Sequence, residues 1–327
     1  MANFYVFNAK MYTTLAMIMA IGFGVIYALL FMVGVSALGV LVFAAIYFAF
    51  QWYISPKAIA AFSRLRYINE NEYPNLHRMV DKLSSAAQVP VPRIAISPSK
   101  SPNAFVFGRT RGSATLAVHQ GLIDMLDDEE MEAVLAHEIG HIKHADFAVM
   151  TFVSFIPMLA MLIAENLLFF GMFGNNRQNG GVLALVGIGS FAVYLITEML
   201  MLGFSRSREL YADSYSAKAT GKPADLARAL IKITYGQAGM PQQATPQAAR
   251  SLYIADSFHA SKELHNLTTH IGEISALLSS KDIEKLKEGI SRGERSSFIA
   301  GIFSTHPSTY RRILFLTKQS VSNANKR

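Results

Sequence analysis

The sequence predicts a mainly α-helical membrane protein: four transmembrane helices, and a water-facing α+β part built around a small sheet. Three observations carry that prediction. The 327 residues are 51% hydrophobic and only 16% charged, with a mean hydropathy of +0.27, too apolar and too charge-poor for an ordinary water-soluble chain. Long apolar runs stand at 11–56, 147–173 and 182–204; the first has no charged side chain and the others carry only Glu165 and Glu198. Between the first and second runs lie short apolar segments punctuated by Pro and Gly, the texture of strands and turns.

A bilayer core needs about 20 apolar residues per helix, so the first run holds two spans, near 12–33 and 36–54, with a turn at Gly34-Val35-Ser36. A cleaved signal peptide fits poorly: the run is too long and no strong basic region precedes it. Trp52 and Tyr53 suit the interface, and Lys57, Arg64 and Arg66 follow at once, which puts this end on the cytoplasmic side. Residues 56–88 read as helical, with Pro74 opening a new helix. Val89-Pro90-Val91-Pro92 breaks it. Three strands follow, at 93–96, 104–107 and 114–119. The stretch 114–118 is the expected sheet edge, and its Ala114 and Leu116 are the candidates for pairing with an extended peptide.

Spans three and four occupy 147–173 and 182–204, joined by a polar loop at 175–181. Gly187 and Gly189 suit close helix packing. Glu165 and Glu198 are acids within spans, costly to place and often functional. The expected organisation is 1–55 for two membrane helices, 56–146 for a cytoplasmic part with the sheet, 147–204 for two more membrane helices, and 205–327 for a second cytoplasmic part. The net charge of +7 then marks the cytoplasmic side. Nucleic acid is an unsuitable partner, because the Lys and Arg residues do not form runs with interleaved aromatics. The absence of cysteine removes disulfides and Cys-based metal sites.

The chemistry centres on His137-Glu138-Ile139-Gly140-His141. Residues i and i+4 share one helix face, so both imidazoles can reach one zinc ion, which takes His nitrogen at about 2.0–2.1 Å. Glu138 lies beside them without being a ligand, where it can act as general base toward water. Asp127, with Glu130 three residues on, reads as a capping box opening that helix. Gly140 weakens a helix by about 1 kcal/mol against Ala, so a close approach to another backbone is expected there.

A catalytic zinc site wants a third protein ligand. The chain does not continue as H-x-x-G-x-x-H: His144 and Phe147 occupy those places. Glu209, in Ser205-Arg206-Ser207-Arg208-Glu209-Leu210-Tyr211-Ala212-Asp213, can complete the set from a helix expected to begin after span four. Two spans separate it from His141, so both lie on one side of the membrane. Asp213, one turn on, can fix the tautomer of a ligand imidazole. The competing reading is a surface helix with Arg pairs. His144 and Asp146 follow His141 too closely to converge on the same ion, and supporting or capping roles suit them better. Glu138-x-x-His141 is also half of a di-iron motif, but no second E-x-x-H follows.

These motifs together resemble the HtpX-type integral-membrane zinc metalloproteases, relatives of the CAAX prenyl proteases. The likeness covers nearly the whole chain, including Asn103-Ala104-Phe105-Val106-Phe107-Gly108 and Ser304-Thr305-His306-Pro307. The resemblance implies a zincin-like (gluzincin) catalytic domain holding one zinc ion per chain through His137, His141 and Glu209, with Glu138 as base and Asp213 in support. It implies that His306 lies near the metal and donates to the oxyanion, and that Asn103 lies by the substrate cleft. By itself His306 is an ordinary histidine before a helix with Pro307 in its first turn. The resemblance further implies quality control of misfolded or damaged membrane proteins by cleavage at the cytoplasmic face, and self-cleavage. The expected partners are polypeptides, membrane proteins among them, and the lipid bilayer; the sequence leaves the oligomeric state open. A zinc-holding scaffold or latent chaperone is the alternative, against which an intact Glu138 argues.

Overall fold

The structure, a computed structural model, describes residues 36–173, 180–239, 254, 260–270, 272 and 306–324. The first expected span, the loop residues 175–179 and the pair Ser304-Thr305 lie outside the described residues. In chain order the elements are α1 (Ala37–Phe62), β1 (Arg66–Tyr67), α2 (Pro74–Ala87), β2 (Arg93–Ser97), β3 (Ala104–Phe107), β4 (Thr115–His119), α3 (Asp128–Lys143), α4 (Asp146–Phe173), α5 (Gly180–Thr220), α6 (Pro223–Ala238), α7 (Ala260–Thr269) and α8 (Thr309–Ala324), with one helical turn at Gln120–Ile123. They divide into two compact units. One takes in the described chain up to Ser55 and Ala148–Ser207; the other takes in Pro56–Phe147 and the chain from Arg208 onward.

In the first unit, α4 and α5 are long and apolar enough to cross a membrane. Their apolar side chains face outward in number: Phe169, Phe170, Phe173, Leu185, Ile188 and Met199 are all exposed, as lipid-facing residues are. The hydroxyls of Ser190 and Thr197 return to the carbonyls of Val186 and Val193 in their own helix, which satisfies them without water. At Gly187 the backbones of α4 and α5 come so close that a Cβ would lie 2.9 Å from the Leu168 nitrogen, the close packing the glycine suggested. Phe48 of α1 meets Phe155 of α4 edge-on, with ring centroids 5.4 Å apart.

The second unit holds the sheet, in the order β1-β2-β4-β3. β1, which the sequence reading missed, pairs antiparallel with β2, and β2 pairs parallel with β4, Ile94 opposite Leu116. β3 pairs antiparallel with β4, Val106 opposite Leu116. The expectation of an edge at 114–118 is therefore corrected. β4 is an interior strand whose backbone is taken up on both sides, and Ala114 and Leu116 are buried in the core, so neither can pair with a peptide. A second correction concerns α5, which runs unbroken from Gly180 to Thr220 for 41 residues. The segment bearing Glu209 is not a new helix. At 1.5 Å per residue the helix is about 60 Å long, twice the bilayer core.

α2 opens on Pro74 as expected, because Pro lacks the N–H that a first turn leaves unpaired anyway. It lies against α3, the exposed pair Lys82–Glu132 joining them at 2.7 Å. The core beneath is one cluster in which Leu76, Val80 and Leu83 of α2 meet Leu116 and Val118 of β4, Val134, Leu135 and Ile139 of α3, and Leu226, Leu230 and Ile233 of α6.

Candidate metal centre

α3 begins with the capping box read from the sequence: Glu130 N–H donates to Asp127 Oδ1 at 2.9 Å, and Asp127 N–H donates to Glu130 Oε2 at 3.2 Å. This fixes the start of the helix and so the rotation of the residues that follow. His137 and Glu138 are buried. Gly140 meets a side chain rather than the backbone expected: a Cβ there would lie 3.0 Å from the Tyr215 ring of α5. Ser216, next along α5, donates to the Ala133 carbonyl at 2.6 Å. The two helices are thereby held at the turn that carries the histidines.

His137 Nε2 and His141 Nε2 face each other at 3.1 Å. Glu209 reaches in from α5, Oε2 at 3.5 Å from His137 Nε2 and Oε1 at 3.5 Å from His141 Nε2. The three ligand atoms lie within 4.8 Å of one another. Ligands about 2.0–2.1 Å from a tetrahedral zinc stand roughly 3.3 Å apart, so the spacing fits. The outer nitrogens fit as well. His137 Nδ1 stands 3.0 Å from Asp213 Oδ1, and His141 Nδ1 2.7 Å from Asp146 Oδ2. Carboxylates only accept, so each Nδ1 carries the proton and each Nε2 presents a lone pair inward. Glu209 Oε2, buried, makes no hydrogen bond among the described residues. Two facing lone pairs and an unbonded carboxylate oxygen suit a cation.

Charge points the same way. Glu138, Glu209, Asp213 and Asp146 are four buried carboxylates, against the two buried guanidiniums of Arg312 and Arg208; with Glu138 ionised, two negative charges remain for a dication. Burial works against a charged His137, yet the carboxylates of Asp213 and Glu209 beside it lift it to about 9, so a cation settling among the ligands takes the place of a proton on Nε2. Burial takes His141 down to about 4. Burial also raises the Glu138 carboxyl to about 7, with His141 and His137 pulling against it. A group near 7 is well matched to exchanging protons at neutral pH.

The remaining expected residues divide. His306 is buried with Nε2 3.7 Å from Glu209 Oε1, beside the ligand set. Pro307 is not in the first helical turn: α8 starts at Thr309, and Ser308 caps it, Arg311 N–H donating to Ser308 Oγ at 3.3 Å. Asn103 is buried. Its Oδ1 accepts the Ile254 N–H at 2.9 Å, and the Ile254 carbonyl in turn accepts from Arg312 Nη1. His144 ends α3, its ring edge-on to Tyr211 with centroids 4.3 Å apart; burial holds its ionisation down to about 4. Two functional residues were missed by the sequence reading. Arg312 grips Asp213, and Arg208 pairs with Asp146 through Nη2 and Oδ1. Arg208 sits inside the motif that identified Glu209. Arg312 sits on α8 one turn before buried Leu316, and a charge on an apolar helix face was the available signal.

Two histidines from one helix, a glutamate from another and a buried non-ligand glutamate between them make the centre of a metallopeptidase. The chain matches the model of peptidase family M48 over residues 70–320. It is 34% identical over 314 residues to a protein named "Protease HtpX homolog" from Moorella thermoacetica, covering 95% of this chain and 93% of that one. A protein of the same name from Methanothermobacter thermautotrophicus is 40% identical over 234 residues, 70% of this chain and 87% of its own. The crystal structure of S. mikatae Ste24p superposes with a TM-score of 0.51 at 16% identity, covering 97% of this chain; this chain spans 66%, just under two thirds, of that longer protein, and the likeness is one of fold. The chain belongs to peptidase family M48: it is a metalloprotease of membranes, and its relatives bear the protease name.

Proposed function

We propose that the chain is a four-span, zinc-dependent endopeptidase of the cell membrane that cleaves misfolded or damaged membrane proteins at the cytoplasmic face. The observation that carries the zinc reading is the convergence of His137 Nε2, His141 Nε2 and Glu209 around one point. Lys57, Arg64 and Arg66, immediately after the first apolar run, support the orientation. The choice of substrate follows from the resemblance of the motifs to a quality-control protease.

His137, His141 and Glu209 would hold the zinc, which when bound polarises the scissile carbonyl and makes water more acidic. Glu138 takes the proton of the attacking water and passes it to the leaving amine. Its burial keeps that carboxylate basic enough for the task. His306, on the Glu209 side, donates to the oxyanion as it forms. Asp213 and Asp146 hold the imidazole protons outward, so that both Nε2 atoms stay free.

The test pairs zinc content with cleavage of an unfolded protein, on detergent-purified wild type and Glu138→Gln. About one zinc in each, with cleavage in wild type alone, is the expected result. Cleavage by the variant at the wild-type rate would overturn the mechanism. Zinc in both with cleavage in neither would favour a latent, zinc-holding scaffold.

A further inference from the structure

The two ligand histidines are supported in different ways. Asp213, behind His137, is held by an arginine 99 residues away. Asp146, behind His141, is held by Arg208, the residue immediately before the third ligand Glu209. A ring closes as a result. His141 Nδ1 reaches Asp146 Oδ2 at 2.7 Å, Asp146 Oδ1 pairs with Arg208 Nη2, one peptide bond joins Arg208 to Glu209, and Glu209 Oε1 returns to His141 Nε2 at 3.5 Å. Asp146 divides its two oxygens, one to the imidazole and one to the guanidinium. The side chains of both members of the pair are buried, 8% and 5% exposed.

We infer that Arg208 and Asp146 are positioning residues that hold His141 and Glu209 at ligand spacing before zinc arrives and slow its departure afterwards. The inference rests on the zinc-peptidase reading. Its physical content is specific. A carboxylate only accepts, so Asp146 Oδ2 turns the Nδ1–H of His141 outward and leaves Nε2 facing Glu209. Arg208, on the other oxygen, fixes the direction in which that carboxylate points. Arg208 also fixes where the backbone of α5 delivers Glu209, since a side chain anchored to the first residue of α4 leaves its neighbour little freedom. A guanidinium suits this role because its planar fork holds both direction and charge.

The experiment uses the full chain in detergent, as wild type, Arg208→Met, Asp146→Asn, Arg208→Lys and the double variant Asp146→Asn/Arg208→Met. Three quantities are read: zinc content, the rate at which zinc passes to excess chelator, and the thermal midpoint of the zinc-stripped protein. Loss of a partner behind a metal ligand commonly weakens metal binding by about 10–100-fold, and release is expected to quicken by that order in each single variant to Met or Asn. Each of these also leaves a buried charge unpaired and lowers the midpoint. The double variant buries no lone charge, so its midpoint returns toward wild type while its zinc release stays fast. Arg208→Lys, keeping the charge but not the fork, falls between. A double variant that regained midpoint and slow release together would make the pair merely structural and overturn the inference. So would single variants that lose stability but hold zinc like wild type. A wild type that binds no zinc would sink the zinc-peptidase reading itself, a result distinct from either.

Discussion

Arg312 holds Asp213 by two parallel hydrogen bonds, Nε to Oδ2 at 2.8 Å and Nη2 to Oδ1 at 2.6 Å, and Asp213 Oδ1 stands 3.0 Å from His137 Nδ1. None of the three side chains is more than 1% exposed. Burial alone would raise the Asp213 carboxyl, but Arg312 and His137 hold it below its ordinary value, so it remains an acceptor. The same guanidinium reaches toward Glu209, Nη1 to Oε2 at 3.5 Å. The last described helix is thus fastened to the metal helix through one arginine.

Removing that arginine while leaving the aspartate buries an uncompensated charge. Arg312→Met is expected to destabilise the metal-free protein by about 3–5 kcal/mol. Arg312→Lys loses the fork but keeps the charge and falls between. Pairing Arg312→Met with Asp213→Asn removes both charges and restores much of the stability. Thermal unfolding in zinc-free detergent solution measures all three. Equal stability of Arg312→Met and wild type would show that the pair carries no such weight.

Gly140 sets the distance between the histidine helix and the helix that carries Glu209. The nearest atom to a Cβ at that site would be a carbon of the Tyr215 ring at 3.0 Å, with two more at 3.3 Å. Gly140→Ala gains about 1 kcal/mol of helix propensity and presses lightly on a side chain able to shift. Gly140→Val is larger and β-branched, and is expected to cost about 1–3 kcal/mol through overpacking and to loosen zinc as the helices part. Adding Tyr215→Ala should recover part of the zinc retention. Chelator competition reads the effect, and Gly140→Val with wild-type zinc retention would break the link between helix spacing and the site.

What the sequence reading reached, and what it did not, divides by range. The start of α3 was legible because a cap is local: Asp127 and Glu130 are three residues apart. The histidine pair was legible because helix geometry fixes i and i+4. Sheet order was not, since β2 pairs in parallel with β4 across the intervening β3, a pairing that no local pattern records. The run of α5 past residue 204 was hidden for another reason. Hydropathy reports what surrounds a helix, and it changes there while the backbone continues unbroken. Arg312 was missed because its partner is 99 residues away, and its place on the Leu316 face of α8 is a weak signal beside the neighbouring Arg311.

The interior position of β4 has its own consequence. Leu116 lies between Ile94 and Val106 and is fully buried. Leu116→Ala is expected to lower stability by about 2–5 kcal/mol through the cavity it leaves. The folded fraction should keep the wild-type KM, because this residue does not touch substrate. Unfolding curves and steady-state kinetics on one preparation separate the two. A variant of normal stability with a raised KM would return β4 to the substrate cleft.

His119 closes β4 and makes part of the fold sensitive to acid. Its Nδ1–H donates to the Ser101 carbonyl at 2.9 Å. Burial lowers its ionisation from the ordinary 6.5, only partly offset by that hydrogen bond. The folded chain therefore holds His119 neutral where the unfolded chain would protonate it. The stability it contributes is complete above about pH 6.5, declines as pH falls through 6.5 toward the lowered folded value, and levels off below that, at a slope of at most about 1.4 kcal/mol per pH unit. His119→Asn, whose amide can still donate to Ser101, does not titrate, so its stability should fall less steeply between pH 6.5 and 5. Other buried histidines contribute to the slope of both proteins, so the difference between the two slopes isolates His119. Thermal midpoints at several pH values, in a detergent of constant ionic strength, provide that difference. Identical slopes would mean that His119 is protonated as readily folded as unfolded, and that the Ser101 contact holds an imidazolium rather than a neutral ring.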